Sequence, residues 1–217
     1  ETYMRSAMRY GDYYLGFVRD NQDSYKNKSI IGNLEIELQN IVQAVTLAKD
    51  ACLWAHVREF GAKLAQFLDN RAYWFAWADI AKWAIEAAEH LNDSQAKAET
   101  LGNMGTVLVR LGSWDEAQKH YERSLELFQQ IGDIYHEAFT ISNLGSVAFD
   151  KGDWTLSRNL YEKSLKMFEQ LGEEGEEIDA LMNIASLDST MGHWSDARQN
   201  LLKCITTFRE LDDILGE

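Results

Sequence analysis

Residues 101–132 read LGNMGTVLVRLGSWDEAQKHYERSLELFQQIG, and residues 141–172 read ISNLGSVAFDKGDWTLSRNLYEKSLKMFEQLG. The second stretch restates the first at a spacing of 40, and residues 181–212 do so again without a gap. Gly105, Gly145 and Ala185 share one phase; Gly112, Gly152 and Gly192 share another, and so do Trp114, Trp154 and Trp194. Leu101, Ile141 and Leu181 keep step as well, and near the end of each unit Phe128, Phe168 and Phe208 agree. A fixed period of this length marks stacked supersecondary units, each too small to bury its apolar face alone.

Inside one unit the apolar spacing is helical. Leu101, Met104, Gly105 and Leu108 fall at i, i+3, i+4 and i+7, a single stripe. Gly112 supplies the left-handed residue that ends this helix, and Ser113 with Glu116 reads as a capping box for the next. Trp114, Ala117, Tyr121, Leu125 and Phe128 form the second stripe, which Gly132 closes. The small residues at 105 and 117 predict close helix approach, with the tryptophan and tyrosine filling the outer spaces.

Working outward, residues 54–92 read as a degenerate copy: Trp74 precedes Trp114 by 40, and Leu64-Ala65 precedes Met104-Gly105 by the same step. Trp77 stands where Ala117 would, so packing there is expected to differ. Residues 1–50 do not follow the repeat and predict two amphipathic helices, near 2–23 and 29–49, around a polar Asn21-to-Lys28 segment. The predicted organisation is therefore a helical lead-in (1–50), an irregular hairpin (51–93) and three regular hairpins (94–133, 134–173 and 174–217). About ten helices and no sheet are expected.

These residues resemble the tetratricopeptide repeat: a small pair in the first helix, then glycine, aromatic, alanine and aromatic. Met104-Gly105, Leu144-Gly145 and Ile184-Ala185 carry the first part, and Gly112, Trp114, Ala117 and Tyr121 the second. The period departs from the family's usual length of about 34, which longer helices explain. The resemblance implies an all-α, right-handed α-solenoid. The front half, with Arg9-Tyr10, Tyr13-Tyr14-Leu15, Leu34-Glu35, Glu37, Asn40-Ile41 and Ala44, is similar to the helical lead-in of bacterial STAND signalling ATPases. In that family a nucleotide-binding module precedes a tetratricopeptide array that senses an inducer or restrains the ATPase.

Composition narrows the function. With 21 basic against 35 acidic residues the net charge is −14, which disfavours nucleic acid, since phosphate contacts require clustered cations. A hydrophobic content of 46% excludes a disordered chain. No apolar run reaches the roughly 18 to 20 residues that span a bilayer, so no membrane role is expected. Cys52 and Cys204 have no zinc-type or disulfide-framework spacing, which suits a reducing, cytoplasmic setting. A start at Glu1 rather than Met points to a piece of a longer protein.

Chemical motifs are missing where enzymes need them. The sequence holds no GxxxxGK[ST], GxGxxG or GxSxG, so no catalysis, nucleotide or other cofactor is expected within it. His136-Glu137 begins like a zinc-helix HExxH, but Thr140 occupies the last position, and no metal site is expected. His56 follows Cys52 by one helical turn, a spacing that coincidence explains better than a thiolate–imidazole pair. The acidic run Glu173-Glu174-Gly175-Glu176-Glu177 suits a helix start, and Trp54, Trp74, Trp77 and Trp83 read as core.

Asn103, Asn143 and Asn183 are the most informative polar positions, because each precedes the small pair of a first helix. The family resemblance implies that this phase faces the concave groove. An amide offers both donor and acceptor and so can hold an extended backbone; alternatively it can bridge adjacent repeats. Thr106, Ser146 and Ser186 lie nearby, and Glu99, Arg110, Asp150 and Asp179 complete the candidate face. These charges are more acidic than basic, which favours a partner segment bearing Lys or Arg. The expected partner is a protein or peptide, the parent's own ATPase module being one candidate, and a homo-oligomer is compatible with a longer protein. Two functions follow: sensor array of a STAND-type regulator, or a freestanding peptide receptor or adaptor.

Overall fold

The computed structural model describes residues 2–22 and 28–215, with side chains defined at 2–21 and 33–209. The described residues form ten α-helices and no strand: α1 (Thr2–Gln22), α2 (Lys28–Asp50), α3 (Trp54–Asn70), α4 (Trp74–His90), α5 (Ser94–Arg110), α6 (Trp114–Ile131), α7 (Ile134–Asp150), α8 (Trp154–Leu171), α9 (Glu174–Thr190) and α10 (Trp194–Leu215). The polar stretch 23–27 lies outside the described residues. No described helix is long and apolar enough to cross a membrane.

From α3 onward each helix begins 20 residues after the last. The turns show why. Every twentieth residue from Cys52 to Gly192 has a positive φ, and at 52, 72 and 92 that residue is Cys, Ala and Asn, not Gly. The same two bonds close the turns at 52, 72, 92, 112, 152 and 192: at Gly112 its N–H reaches Val109 O at 2.9 Å and Ser113 N–H reaches Leu108 O at 2.8 Å, and at Cys52 the partners are Lys49 O and Ala48 O. This is the Schellman arrangement, which satisfies carbonyls that a helix end would leave bare. The backbone rhythm thus begins three turns earlier than glycine content reveals. Asp93, Asp133 and Asp153 cap the following helices by accepting the N–H of Ala96, His136 and Leu156.

The chain folds as two compact units, Glu1–Ser113 and Trp114–Glu217. In the first, Val18, Ile41, Phe60, Leu64, Phe67 and Trp77 anchor one core. Burying each such side chain contributes about 1.5–3 kcal/mol. Gly61 of α3 touches Ala84 of α4, so two small residues bring these helices together beside the bulky Trp77. Trp74 and Trp83 pack on the same core, and Trp54 stacks on His90 at 4.2 Å, so all four tryptophans are packing residues. Tyr14 of the front segment donates its hydroxyl to Glu37 at 3.0 Å, tying α1 to α2.

In the second unit α7 packs between α6 and α8, and α9 between α8 and α10. Gly145 admits the ring of Tyr161, and Ile184 and Leu187 close over it. Tyr161 is therefore core rather than an outer filler. Trp154 and Trp194 open their helices with 42% and 69% of their surface exposed. α7 also meets α9 directly, whereas α6, α8 and α10 make no backbone approach to one another among the described residues. The α7–α9 row is therefore the inner one.

Candidate functional site

The candidate residues divide between the two units. Glu99 and Asn103 line a cleft of about 210 Å³ between α3 and α5, together with Arg58, Glu59 and Asp93. The charges here are engaged: Arg58 Nη1 binds Asp93 Oδ2 at 2.5 Å, and Arg19 grips Glu59 through two bonds of 2.6 and 2.7 Å. Glu99 accepts from Gln95 Nε2 at 2.8 Å, and the Thr106 hydroxyl bonds back to Gly102 O. Arg110 of the candidate face gives Nε and Nη2 to Asp69 at 2.9 and 3.1 Å, so its guanidinium fork already holds a carboxylate. Asp69 is 41 residues earlier, and only the stacking of α5 on α3 reveals the pair.

On the inner row of the second unit, residues of α7 meet residues about 41 positions later on α9. Tyr135 donates its hydroxyl to Glu176 at 2.5 Å, and Asn183 Nδ2 reaches Ser142 Oγ at 3.4 Å. At Asn183 the bridging role is therefore present, through a long contact. Asn143 forms no side-chain hydrogen bond among the described residues and is half-buried on the same row. Ser146 accepts the Tyr161 hydroxyl at 3.0 Å, while Ser186, Asp150 and Asp179 are exposed.

Two apolar residues on this face escaped the sequence reading. Phe139, one turn before Asn143, keeps 49% of its surface exposed, and Met182, beside Asn183, keeps 46%. Helical spacing could have found them: position 139 shares its phase with Glu99 and Asp179, so a phenylalanine there is an apolar residue in a polar series.

The electrostatics of the row are one-sided. Partial burial pushes the Asp150 carboxyl above its usual range, and burial together with the nearby Glu176 does the same to Asp179. Tyr135 is pushed up to about 12, chiefly by its bond to Glu176 and then by burial and the surrounding carboxylates.

Elsewhere the chemistry is structural. His56 Nε2 lies 2.9 Å from Asp12 Oδ1, and Cys52 sits exposed at the first left-handed turn. His136 pairs with Asp133 at 2.7 Å and stacks on Phe128. Asp188, His193 and Asp196 place three oxygen and nitrogen donors within 4.8 Å, but the Arg158 guanidinium occupies the Asp188 carboxylate that a metal would need.

A tetratricopeptide-repeat family profile matches residues 96–145 and 136–210, more than half of the chain. The chain belongs to the tetratricopeptide-repeat family. The array also resembles solved structures. BtubC (BKLC) from P. vanneervenii aligns with a TM-score of 0.66 at 15% identity, over 98% of this chain and 92% of its own. The apo form of RapI aligns at 0.71 and 14%, over 93% and 72%. A Rap protein complexed with Competence and Sporulation Factor aligns at 0.68 and 16%, over 85% of this chain and 53% of its own. Identities this low show the shared helical-hairpin solenoid and nothing finer. No curated protein matches the sequence.

Proposed function

We propose that this tetratricopeptide array binds an extended protein or peptide segment along the α7–α9 row. The observation that carries the reading is Asn143: its amide has no hydrogen-bond partner among the described residues, and it lies one turn after the exposed Phe139 on the row that Met182 shares. An open amide can hold a peptide backbone through both donor and acceptor while the apolar pair seats a side chain. The similar Rap structure, a complex with Competence and Sporulation Factor, lends support from the same fold. The test compares Asn143→Ala with Asn183→Ala. Asn143→Ala is expected to weaken partner binding about tenfold, or 1.4 kcal/mol, with the thermal midpoint unmoved. Asn183→Ala is expected to lower the midpoint. A fall in the midpoint for Asn143→Ala with affinity intact would leave both asparagines as struts.

The finer role is regulatory: the array serves as the sensing platform of a STAND-type signal-transduction ATPase whose nucleotide module lies outside these residues. Support comes from the front motif, where the Tyr14–Glu37 bond joins its two halves into one structural element and Tyr10 packs on the Tyr14 ring at 4.9 Å. The longer protein is then expected to change its ATP hydrolysis rate when the partner segment is added. A rate indifferent to the segment, with binding intact, returns the array to the role of a freestanding receptor or adaptor.

A further inference from the structure

The two rows of the second unit differ in charge. Every Lys and Arg of this unit lies on α6, α8 or α10, apart from Lys151 in the turn after α7, which binds Asp115 at 2.7 Å. α7 and α9 contain no Lys or Arg at all. Of their carboxylates, Glu137 accepts from Gln129 Nε2 on α6, and Asp188 is held by Arg158 of α8. Asp150 and Asp179 have no cation among the described residues, and Tyr135 already binds Glu176. By the 41-residue register Met182 lies between the two aspartates along the row, and the exposed Phe139 lies level with Asp179.

We infer that the α7–α9 face takes a cationic segment, in which two Lys or Arg residues flank a central apolar side chain. This rests on the binding role proposed above and adds the chemistry of the partner. Charge complementarity selects the basic residues: a cation beside Asp150 or Asp179 stabilises a carboxylate that now stands partly desolvated and unpaired. The apolar residue is selected by Phe139 and Met182, whose exposed surface a flexible thioether can mould around a guest. The register fixes the spacing. Asp179 lies opposite position 138, and Asp150 is 12 residues further along α7, about 18 Å at 1.5 Å per residue. An extended segment covers that distance in about five residues.

The acidic character belongs to this unit. The first helices of the other unit carry Arg58, Lys63, Lys97 and Arg110, so the preference for cations is local and can be removed without recharging the whole surface.

The experiment uses three fluorescein-labelled nine-residue peptides with a central leucine and two lysines five positions apart, the lysines being replaced by Gln or by Glu in the second and third. Anisotropy is read against the full chain. The Lys peptide is expected to bind about tenfold more tightly than the Gln peptide, and the Glu peptide more weakly than either, with the contrast shrinking in high salt. In Asp150→Asn/Asp179→Asn, with an undiminished thermal midpoint, the Lys advantage disappears. Phe139→Ala weakens the Lys and Gln peptides by the same factor. Equal binding of Lys and Gln peptides, or an advantage that survives the double substitution, overturns the inference. Sensitivity of the Gln peptide to Asn143→Ala would then show that the binding role itself stands. If no peptide binds, both fall.

Discussion

The ring of Tyr161 on α8 lies so close to Gly145 on α7 that a Cβ added there would stand 2.8 Å from its edge. Gly145 is therefore a packing requirement, since it sits in mid-helix where glycine is otherwise unfavourable.

Gly145→Val is expected to overpack this contact and cost about 1–3 kcal/mol, read as a lower urea midpoint. Gly16 supplies the contrast. It lies inside α1 with nothing within 4 Å of its would-be Cβ, so Gly16→Ala is expected to stabilise by about 0.5–1 kcal/mol. Equal responses at the two sites would refute the packing account.

Ala72 holds a φ of +58° in an exposed turn where five later turns use glycine. A side chain in this left-handed region costs about 1–2 kcal/mol, so Ala72→Gly is expected to raise the thermal midpoint. Ala72→Val should lower it. Asn tolerates the conformation, and Asn92→Gly should change little.

Asp93 accepts the Ala96 N–H at 2.9 Å and the Arg58 guanidinium, and these bonds hold its carboxyl below the usual range. A depressed native pKa contributes stability above the unfolded value of 3.8, and this is lost as pH falls through the lower native value. Asp93→Ala is expected to cost about 1 kcal/mol at neutral pH as a lost cap. The deficit against the parent should narrow in acid below pH 3.8, as followed by circular dichroism melts.

Asp188, only 1% exposed, pairs with Arg158 and lies near Asn200, while the same positions one hairpin earlier are Ala148 and Gln118 beside a hollow of about 360 Å³. Removing one partner alone leaves a buried charge, so Arg158→Met is expected to destabilise by about 3 kcal/mol. Asp188→Ala/Arg158→Met should recover most of that loss by making the third hairpin resemble the second. Chemical denaturation of the two variants decides it: additive losses would mean that the pair is not the source.

The local grammar of this chain was written in its residues. The spacing of Leu101, Met104, Gly105 and Leu108 makes a helix, and Gly112 must end it, because such constraints act within one or two turns. The 40-residue recurrence then fixes a stack of hairpins, since no hairpin buries its own stripe. The sequence also brought Asn143 and Asn183 into view, in one series with Asn103.

What separates them depended on contact across the stack. Asn183 reaches Ser142, 41 residues away, while Asn143 finds no such hydroxyl; Arg110 turns to Asp69 at the same separation. Cys52 and Ala72 carry no sign of a left-handed turn, and they adopt one because the helices on either side must lie against each other. Residue periodicity determines which face of a helix is buried. Only the register between stacked helices decides which side chains meet, and so which amide is left open on the inner row.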